Sequence, residues 1–277
     1  MADVLNDKFD CCGIFDTHAH YFDRRFNEIK GGADGVLQRN VFDSGIEGVI
    51  NVGTNNVTNR ICIEQSKKYE KMYAAVGIHP EDAAYLKYSL KEELKALRET
   101  VDTEEKRIRD KIVAIGEIGL DYHYEGFDKD MQAYLFEKQL ELAVNLNLPA
   151  IIHDRDAHGD CFETVLKYPL ARGVFHSYSG SAEMASDLIR RGWMISFSGV
   201  VTFKNAERVR AVAASVPLDK MLIETDAPYL APHPHRGECN HSGLLEFTAA
   251  VIADVHGVSP EEVAKITAEN AARFFGI

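Results

Sequence analysis

No apolar run in the chain reaches membrane-spanning length, which excludes a helical membrane span. Cysteine is scarce: Cys11, Cys12, Cys62, Cys161 and Cys239 make an odd number, with no CxxC pair among them. That excludes a disulfide framework and points to free thiols in a reducing compartment. Positive charge is also in deficit. There are 31 Lys and Arg against 43 Asp and Glu, a formal charge of −12. A protein that coats DNA through its phosphates presents a net positive surface, so that class is excluded. An enzyme can still meet an anionic substrate locally, through metal ions and a few cations. There is no Pro/Ser-rich linker and no low-complexity tract. The opening stretch "MADVLNDKFD" lacks the basic-then-apolar order of a secretory signal. The expectation is a soluble chain of the cytoplasm, with the nucleus left open, that needs no membrane and no obligate protein partner.

The 277 residues are 45% hydrophobic and 27% charged, enough for one large core. They read as a single domain over 1–277. Eight short apolar runs recur: "GIFDTHAH" (13–20), "GVINVGT" (48–54), "YAAVGIHP" (73–80), "IVAIGEIGLDY" (112–122), "PAIIHDR" (149–155), "GVFHSYSG" (173–180), "GWMISFSG" (192–199) and "KMLIETDAPYL" (220–230). Their Val, Ile and Phe with bounding Gly or Pro suit buried strands. Between them lie helical stripes: Leu86, Leu90, Leu94, Leu97 and Val101; Phe136, Leu140, Ala143 and Val144; Met184 and Leu188; and Leu244, Phe247, Val251, Ile252 and Val255. The charged segment 91–111 reads as a solvated helix and loop. Strand and helix in alternation imply a parallel sheet, and eight repeats close into an α/β (β/α)8 TIM barrel. A doubly wound sheet of fewer strands is the alternative.

Chemistry-bearing residues interrupt these runs near their C-terminal ends. In "FDTHAHYFD", strand alternation aims Asp16, His18 and His20 the same way. His79 ends the third run, and Glu117 and Asp121 follow "IVAIG". His153 follows "PAII", His176 follows "GVF", and Glu224 and Asp226 follow "MLI". Taken singly, a strand histidine is more often a satisfied core or surface residue than a ligand, and His79 before Pro80 can simply end a strand. A carboxylate in a buried strand, as at Glu117, costs several kcal/mol unless paired or metal-bound. In a TIM barrel these strand ends share one mouth. Converging there, they make a metal signal. Two ions fit the donors better than one: His18, His20 and Asp226 on one, His153 and His176 on the other, Glu117 between them. Asp226 is placed to orient the attacking water or take its proton. Arg155, Lys204 and Arg236 follow strands five, seven and eight, where they can meet phosphates. Tyr122, Tyr178 and Tyr229 stand where a base can stack, although loop packing accounts for two of the three.

The motifs "DTHAH", "VGIHP", "GEIGLDY", "HDRDA", "HSYSG", "ISFSGVVTFKNA" and "IETDAPYLAPHPHRG" occur in order from Phe15 to Leu230 and beyond. On these the chain resembles the TatD family of metal-dependent deoxyribonucleases, within the amidohydrolase-like TIM barrels. The resemblance implies metal ligands at His18, His20, Glu117, His153, His176 and Asp226, with catalytic roles for Asp226 and Glu117. It further implies a 3′–5′ exonuclease acting on DNA, chiefly at single-stranded or frayed ends, with two divalent ions drawn from Mg, Mn or Zn. His79, Arg155, Lys204 and Arg236 are the expected substrate contacts. One departure stands out: after "RGECN" the family commonly continues with another residue and then proline, whereas this chain reads "NHSGLL". The expectation is a changed rim, with His241 as an exposed loop histidine and substrate preference affected. Two other functions use the same features. One is an ester or amide hydrolase, such as an aminoacyl-tRNA deacylase, acting on a carbonyl. The other is a non-catalytic scaffold, which the buried donors argue against.

Overall fold

Each apolar run forms a strand because its Val, Ile, Leu and Phe residues are buried on both faces, as parallel strands require. The computed structural model describes residues 13–86 and 89–277; Cys11, Cys12 and the rest of the opening stretch lie outside the described residues. The strands are β1 Phe15–Ala19, β2 Gly48–Val52, β3 Met72–Val76, β4 Ile112–Asp121, β5 Ala150–Arg155, β6 Gly173–Phe175, β7 Met194–Phe197 and β8 Met221–Ile223. They pair in chain order, every neighbour parallel. The helices are α1 Gly32–Val36, α2 Asn56–Lys68, α3 Leu90–Thr100, α4 Glu104–Arg109, α5 Lys129–Leu146, α6 His158–Leu166, α7 Ala182–Arg190, α8 Glu207–Ser215, α9 Leu245–His256 and α10 Pro260–Phe275. This is the expected (β/α)8 barrel.

Strand alternation divides the buried residues into two layers. Phe15, Ile50, Val52, Ile151, Val174, Met194 and Leu222 fill the inside, where Ala271 and Phe275 of α10 join them. Ile14, Val49, Ile112, Ile152 and Ile195 face outward to the helices. Two expectations need correction. The charged segment 91–111 holds a second helix, α4, not a plain loop, because Thr103 caps it by accepting from the Lys106 N–H. Leu86 stands before α3, at the end of the 3-10 turn Pro80–Tyr85.

The barrel closes between β1 and the segment after β8, and polar groups make that seam. Asp226 N–H donates to His18 O at 2.9 Å and His20 N–H to Ala227 O at 2.7 Å, with a bridge between Ala19 and Ala227. Asp16 is fully buried and accepts from Thr225 N–H (3.0 Å), Thr225 Oγ1 (2.6 Å), His18 N–H (3.2 Å) and Ser242 Oγ (2.6 Å). Because Ser242 donates its one hydroxyl hydrogen to Asp16, the Tyr21 hydroxyl 2.8 Å away must donate to Ser242. Tyr21 in turn accepts from Ser242 N–H. Asp16 therefore does not join the two imidazoles. The register against β2 shifts between Asp16 and Ala19, which breaks the strict alternation. Ser242 is likewise a buried part of the seam and not a rim residue; a proline there lacks both the hydroxyl and the N–H that Tyr21 receives.

β4 and β5 must also run close together for Glu117 and His153 to meet. Gly119 permits this: its φ is +142°, and a Cβ there would collide with the His153 carbonyl oxygen.

Ser242→Ala removes a donor from a buried carboxylate and an acceptor from Tyr21. Unfolding by denaturant is expected to show a loss of about 1–3 kcal/mol. A change within about 0.5 kcal/mol, the range of a surface substitution, would show that the seam does not depend on this hydroxyl.

Candidate metal centre

Five strand ends deliver the polar side chains to one mouth. β1 brings His18 and His20, whose Nε2 atoms lie 3.1 Å apart. His20 Nδ1 donates to the Val52 carbonyl at 2.6 Å, so its Nε2 presents a lone pair to the centre. His18 stacks on His176, with ring centroids 4.1 Å apart. β4 brings Glu117, only 3% exposed. Its Oε1 meets His153 Nδ1 and His176 Nε2, each at 2.7 Å. Its Oε2 faces His18 Nε2 at 3.5 Å and His20 Nε2 at 3.6 Å. Asp226, following β8, puts Oδ1 at 3.3 Å from His20 Nε2 and 3.7 Å from His18 Nε2. The backbone at Asp226 is left-handed, φ 58°, as is that at Ser177, φ 40°, beside His176. Such non-glycine strain gathers at functional sites.

The outer nitrogens carry the strongest chemical information. His153 Nε2 meets Asp121 Oδ2 at 2.9 Å. His176 Nδ1 meets Glu224 Oε1 at 3.1 Å, and Glu224 is held by Ser177 N–H and Ser196 Oγ, both at 2.6 Å. Each of these imidazoles therefore has a carboxylate at both nitrogens. Only a doubly protonated ring, or a ring with a cation in place of its inner proton, satisfies that arrangement. Burial acts against the charged form of His153, but Asp121 and Glu117 outweigh it and push the ring up to about 9. Burial likewise opposes a charge on His176, and Glu117 and Glu224 hold it well above the usual histidine range. Burial would raise Glu117; the charge of His176 and the bond from His153 instead hold it well below the carboxylate range. Burial lowers His18. The donor set fits a divalent metal. Imidazole nitrogens and carboxylate oxygens converge within 4.8 Å in overlapping groups, His18–His20–Asp226 and His18–Glu117–His176. A third group joins His79, Glu117 and His153.

His79 differs from the other imidazoles. Its Nδ1 accepts from Glu81 N–H at 3.2 Å, so the neutral ring carries its hydrogen on Nε2, 3.7 Å from Glu117 Oε1. Burial lowers it to about 3, which keeps it neutral. It thus faces the centre with a donor and not with a lone pair.

Above these groups lies a cavity of about 670 Å³. The structure brings His18, His20, Glu117, His153, His176 and Asp226 together, with His79 beside Glu117. Arg155 lines the cavity, 3.9 Å from Asp121. Lys204 and Arg236 are not among its lining residues. Lys204 sits exposed on the turn before α8, and Arg236, also exposed, lies over the ring of Phe203, 3.6 Å from its centroid. Tyr122 stacks on Phe127 at 4.6 Å and Tyr178 is buried, leaving Tyr229 exposed toward the cavity. His241 is half-buried and not an exposed loop residue; burial lowers it to about 4, and its Nδ1 has no partner among the described residues. Sequence reasoning missed Arg25 and Tyr124, both in the cavity wall. The one available signal was "DRRF", directly after the His-x-His strand, where Asp23 caps a turn over the mouth.

With this geometry in view, the comparisons have a physical counterpart. Residues 15–276 match the family described as TatD related DNase. The chain is 39% identical over 267 residues to the uncharacterized metal-dependent hydrolase YabD of Bacillus subtilis, covering 95% of this chain and 99% of that one. It is 33% identical over 275 residues to the uncharacterized metal-dependent hydrolase TatD of Mycobacterium tuberculosis, covering 95% and 98%. Among solved structures, the TatD homologue YjjV of Escherichia coli K12 superposes with a TM-score of 0.86 at 28% identity, covering 96% of this chain and 99% of that one. The barrel, its mouth of imidazoles and carboxylates, and these matches along nearly its whole length agree: the chain belongs to the TatD family of metal-dependent hydrolases.

Proposed function

We propose that this hydrolase is a deoxyribonuclease that trims DNA from single-stranded or frayed ends, in the 3′–5′ direction implied by its family. The observation that carries the proposal is the division of Glu117. One carboxylate oxygen serves His153 and His176 while the other faces His18 and His20, the disposition of a carboxylate shared by two cations. His18, His20 and Asp226 would hold one ion, His153 and His176 the other, with Glu117 between. When bound, two divalent ions would supply Lewis acidity to a phosphoryl oxygen and ease the deprotonation of water.

The chain's own groups do the rest. Asp226 has a side chain 16% exposed against 4% for Glu117, so of the two it is the carboxylate more open to the cavity. It orients a water toward phosphorus and takes its proton at a carboxylate oxygen. The water oxygen bonds to phosphorus as the P–O3′ bond breaks, and the proton returns to the departing 3′ oxygen. His79 Nε2–H is a donor for a phosphoryl oxygen. A stiff duplex with stacked bases does not fit into a cavity of about 670 Å³ at a barrel mouth, whereas one strand does. The acidic chain adds little long-range attraction, so binding depends on the centre and the few local cations.

Product analysis on 3′- and 5′-labelled single strands, blunt duplex and closed circular single strands tests this proposal. Mononucleotide release from free 3′ ends, faster on single strands than on blunt duplex, is expected, with the circle left intact. Rapid nicking of the circle would contradict an end requirement. Release of amino acid from charged tRNA without DNA cleavage would favour the carbonyl hydrolase.

In the same assay, Asp226→Ala is expected to lower kcat by about 10²–10⁴-fold. His18→Ala and His153→Ala should cost at least as much while far-ultraviolet circular dichroism stays unchanged. Full activity in any two of the three would remove the ligand assignment. Chelation of metal-loaded protein should lower Tm by about 5–10 °C, because a ligand at 100 times its Kd adds about 2.7 kcal/mol. An unchanged Tm on protein shown to have lost its metal would argue that the donors are satisfied without it.

A further inference from the structure

Acids outnumber cations in the cavity wall, where Arg25 and Arg155 are the only lysines or arginines among the described lining residues. The two are not equivalent. Arg155 is engaged: it stands 3.9 Å from Asp121, its Nη1 donates to Tyr124 Oη at 3.3 Å, and its guanidinium lies 5.1 Å from the centroid of that ring. Arg25 has an exposed side chain and, among the described residues, no carboxylate within ion-pair distance. It is nevertheless held in place. Its guanidinium lies 4.3 Å over the ring of Tyr229. Asp23 fixes both partners, accepting the Arg25 backbone N–H on Oδ1 (2.8 Å) and the Tyr229 hydroxyl on Oδ2 (2.7 Å). Asp23 thus orders the arginine through its backbone and its ring partner, without an ion pair to its guanidinium.

Tyr229 ties this guanidinium to the reaction centre. Its N–H donates to Asp226 O at 2.8 Å, and its ring centroid is 6.4 Å from that of His20. Arg25 is therefore two ring contacts from a centre histidine, too far to share the phosphate under attack and near enough for the next one. A planar guanidinium stacked on a ring keeps its fork of donors open at the edge, the geometry that accepts two phosphate oxygens.

Resting on the phosphodiesterase proposal, we infer that Arg25, seated on Tyr229 and aligned by Asp23, is an anion subsite for the phosphodiester adjacent to the one cleaved. The ligand class is a single-stranded polynucleotide with at least two phosphates. The subsite adds to the phosphate contacts that chain order suggested for Lys204 and Arg236, neither of which lines the cavity. It gives a −12 protein a local cation where a strand leaves the centre.

The test compares Arg25→Gln and Arg25→Lys with the unaltered, metal-loaded enzyme on two substrates. One is a short oligothymidylate; the other is the p-nitrophenyl ester of thymidine 5′-monophosphate, which has one phosphate and no neighbour. Arg25→Gln should raise KM for the oligothymidylate about tenfold more than KM for the ester, with kcat changing far less than KM. The slope of log KM against log salt on the oligonucleotide should fall by about 0.7, one phosphate contact on a single strand. Arg25→Lys, which keeps the charge and loses the planar fork, should restore the slope and only part of the affinity. Equal changes on the two substrates, or none on either, would overturn the subsite.

Fluorescence anisotropy with the labelled oligothymidylate reads the same contact without turnover. Kd should rise about tenfold in Arg25→Gln, and an unchanged Kd overturns the inference. If the unaltered protein binds the strand but does not cleave it, and Arg25→Gln weakens that binding, the nuclease proposal fails while the subsite stands. If the unaltered protein does not bind it, both fail.

Discussion

A carboxylate buried among imidazoles is the constraint on which the rest of this structure depends. Glu117 lies within a ring of His18, His20, His79, His153 and His176 at distances of 2.7–3.7 Å. Removing such a charge from water costs several kcal/mol unless opposite charge compensates it at close range. Protons on His153 and His176 can supply that charge, and so can divalent cations occupying the inner ring positions. Asp121 and Glu224 raise the stakes, since they add two more carboxylates that face the same rings from behind. The site thus gathers several carboxylates around imidazole nitrogens, an arrangement that positive charge at its centre compensates.

Holding those groups together is the task of the barrel, and the seam between β1 and β8 bears much of it. Asp16 bonds both sides of the seam: His18 on β1 and Thr225, next to Asp226, in the segment after β8. The same hub reaches the loop after β8 through Ser242 and back to β1 through Tyr21. The geometry of His18, His20 and Asp226 is therefore set by hydrogen bonds that close the barrel and not by the mouth loops. Those loops are left to vary in what they offer a substrate; Arg25, Tyr124 and Tyr229 occupy them, with Arg155 beside them at the end of β5.

Much of this was legible in the sequence, for a physical reason. Eight apolar runs bounded by Gly or Pro can be buried in order in few ways, and polar residues at their C-terminal ends must then share one mouth. The convergence of His18, Glu117, His153, His176 and Asp226 follows from that alone. What could not be read depended on partners distant in the chain or on loop conformation. Ser242 and Asp16 are 226 positions apart, so nothing local marks the serine as part of the seam. The register shift in β1 that separates Asp16 from the histidines leaves no trace in a strict alternation. Lys204 and Arg236 follow strands seven and eight much as Arg155 ends strand five, but loop conformation leaves both outside the lining of the cavity. Asp121 and Glu224 were visible as strand-end acids, while their roles on the outer nitrogens of His153 and His176 appear only when the rings are oriented.

The central claim is that Glu117 would be shared by two cations, one that His18, His20 and Asp226 would hold and one that His153 and His176 would hold. Anomalous diffraction from crystals soaked in Mn²⁺, recorded near the manganese edge, measures this directly. The account predicts two peaks, each within ligand distance of its own group and both beside the Glu117 carboxylate, and the loss of both in Glu117→Ala. A single peak, or peaks that remain in place when Glu117 is removed, would contradict it.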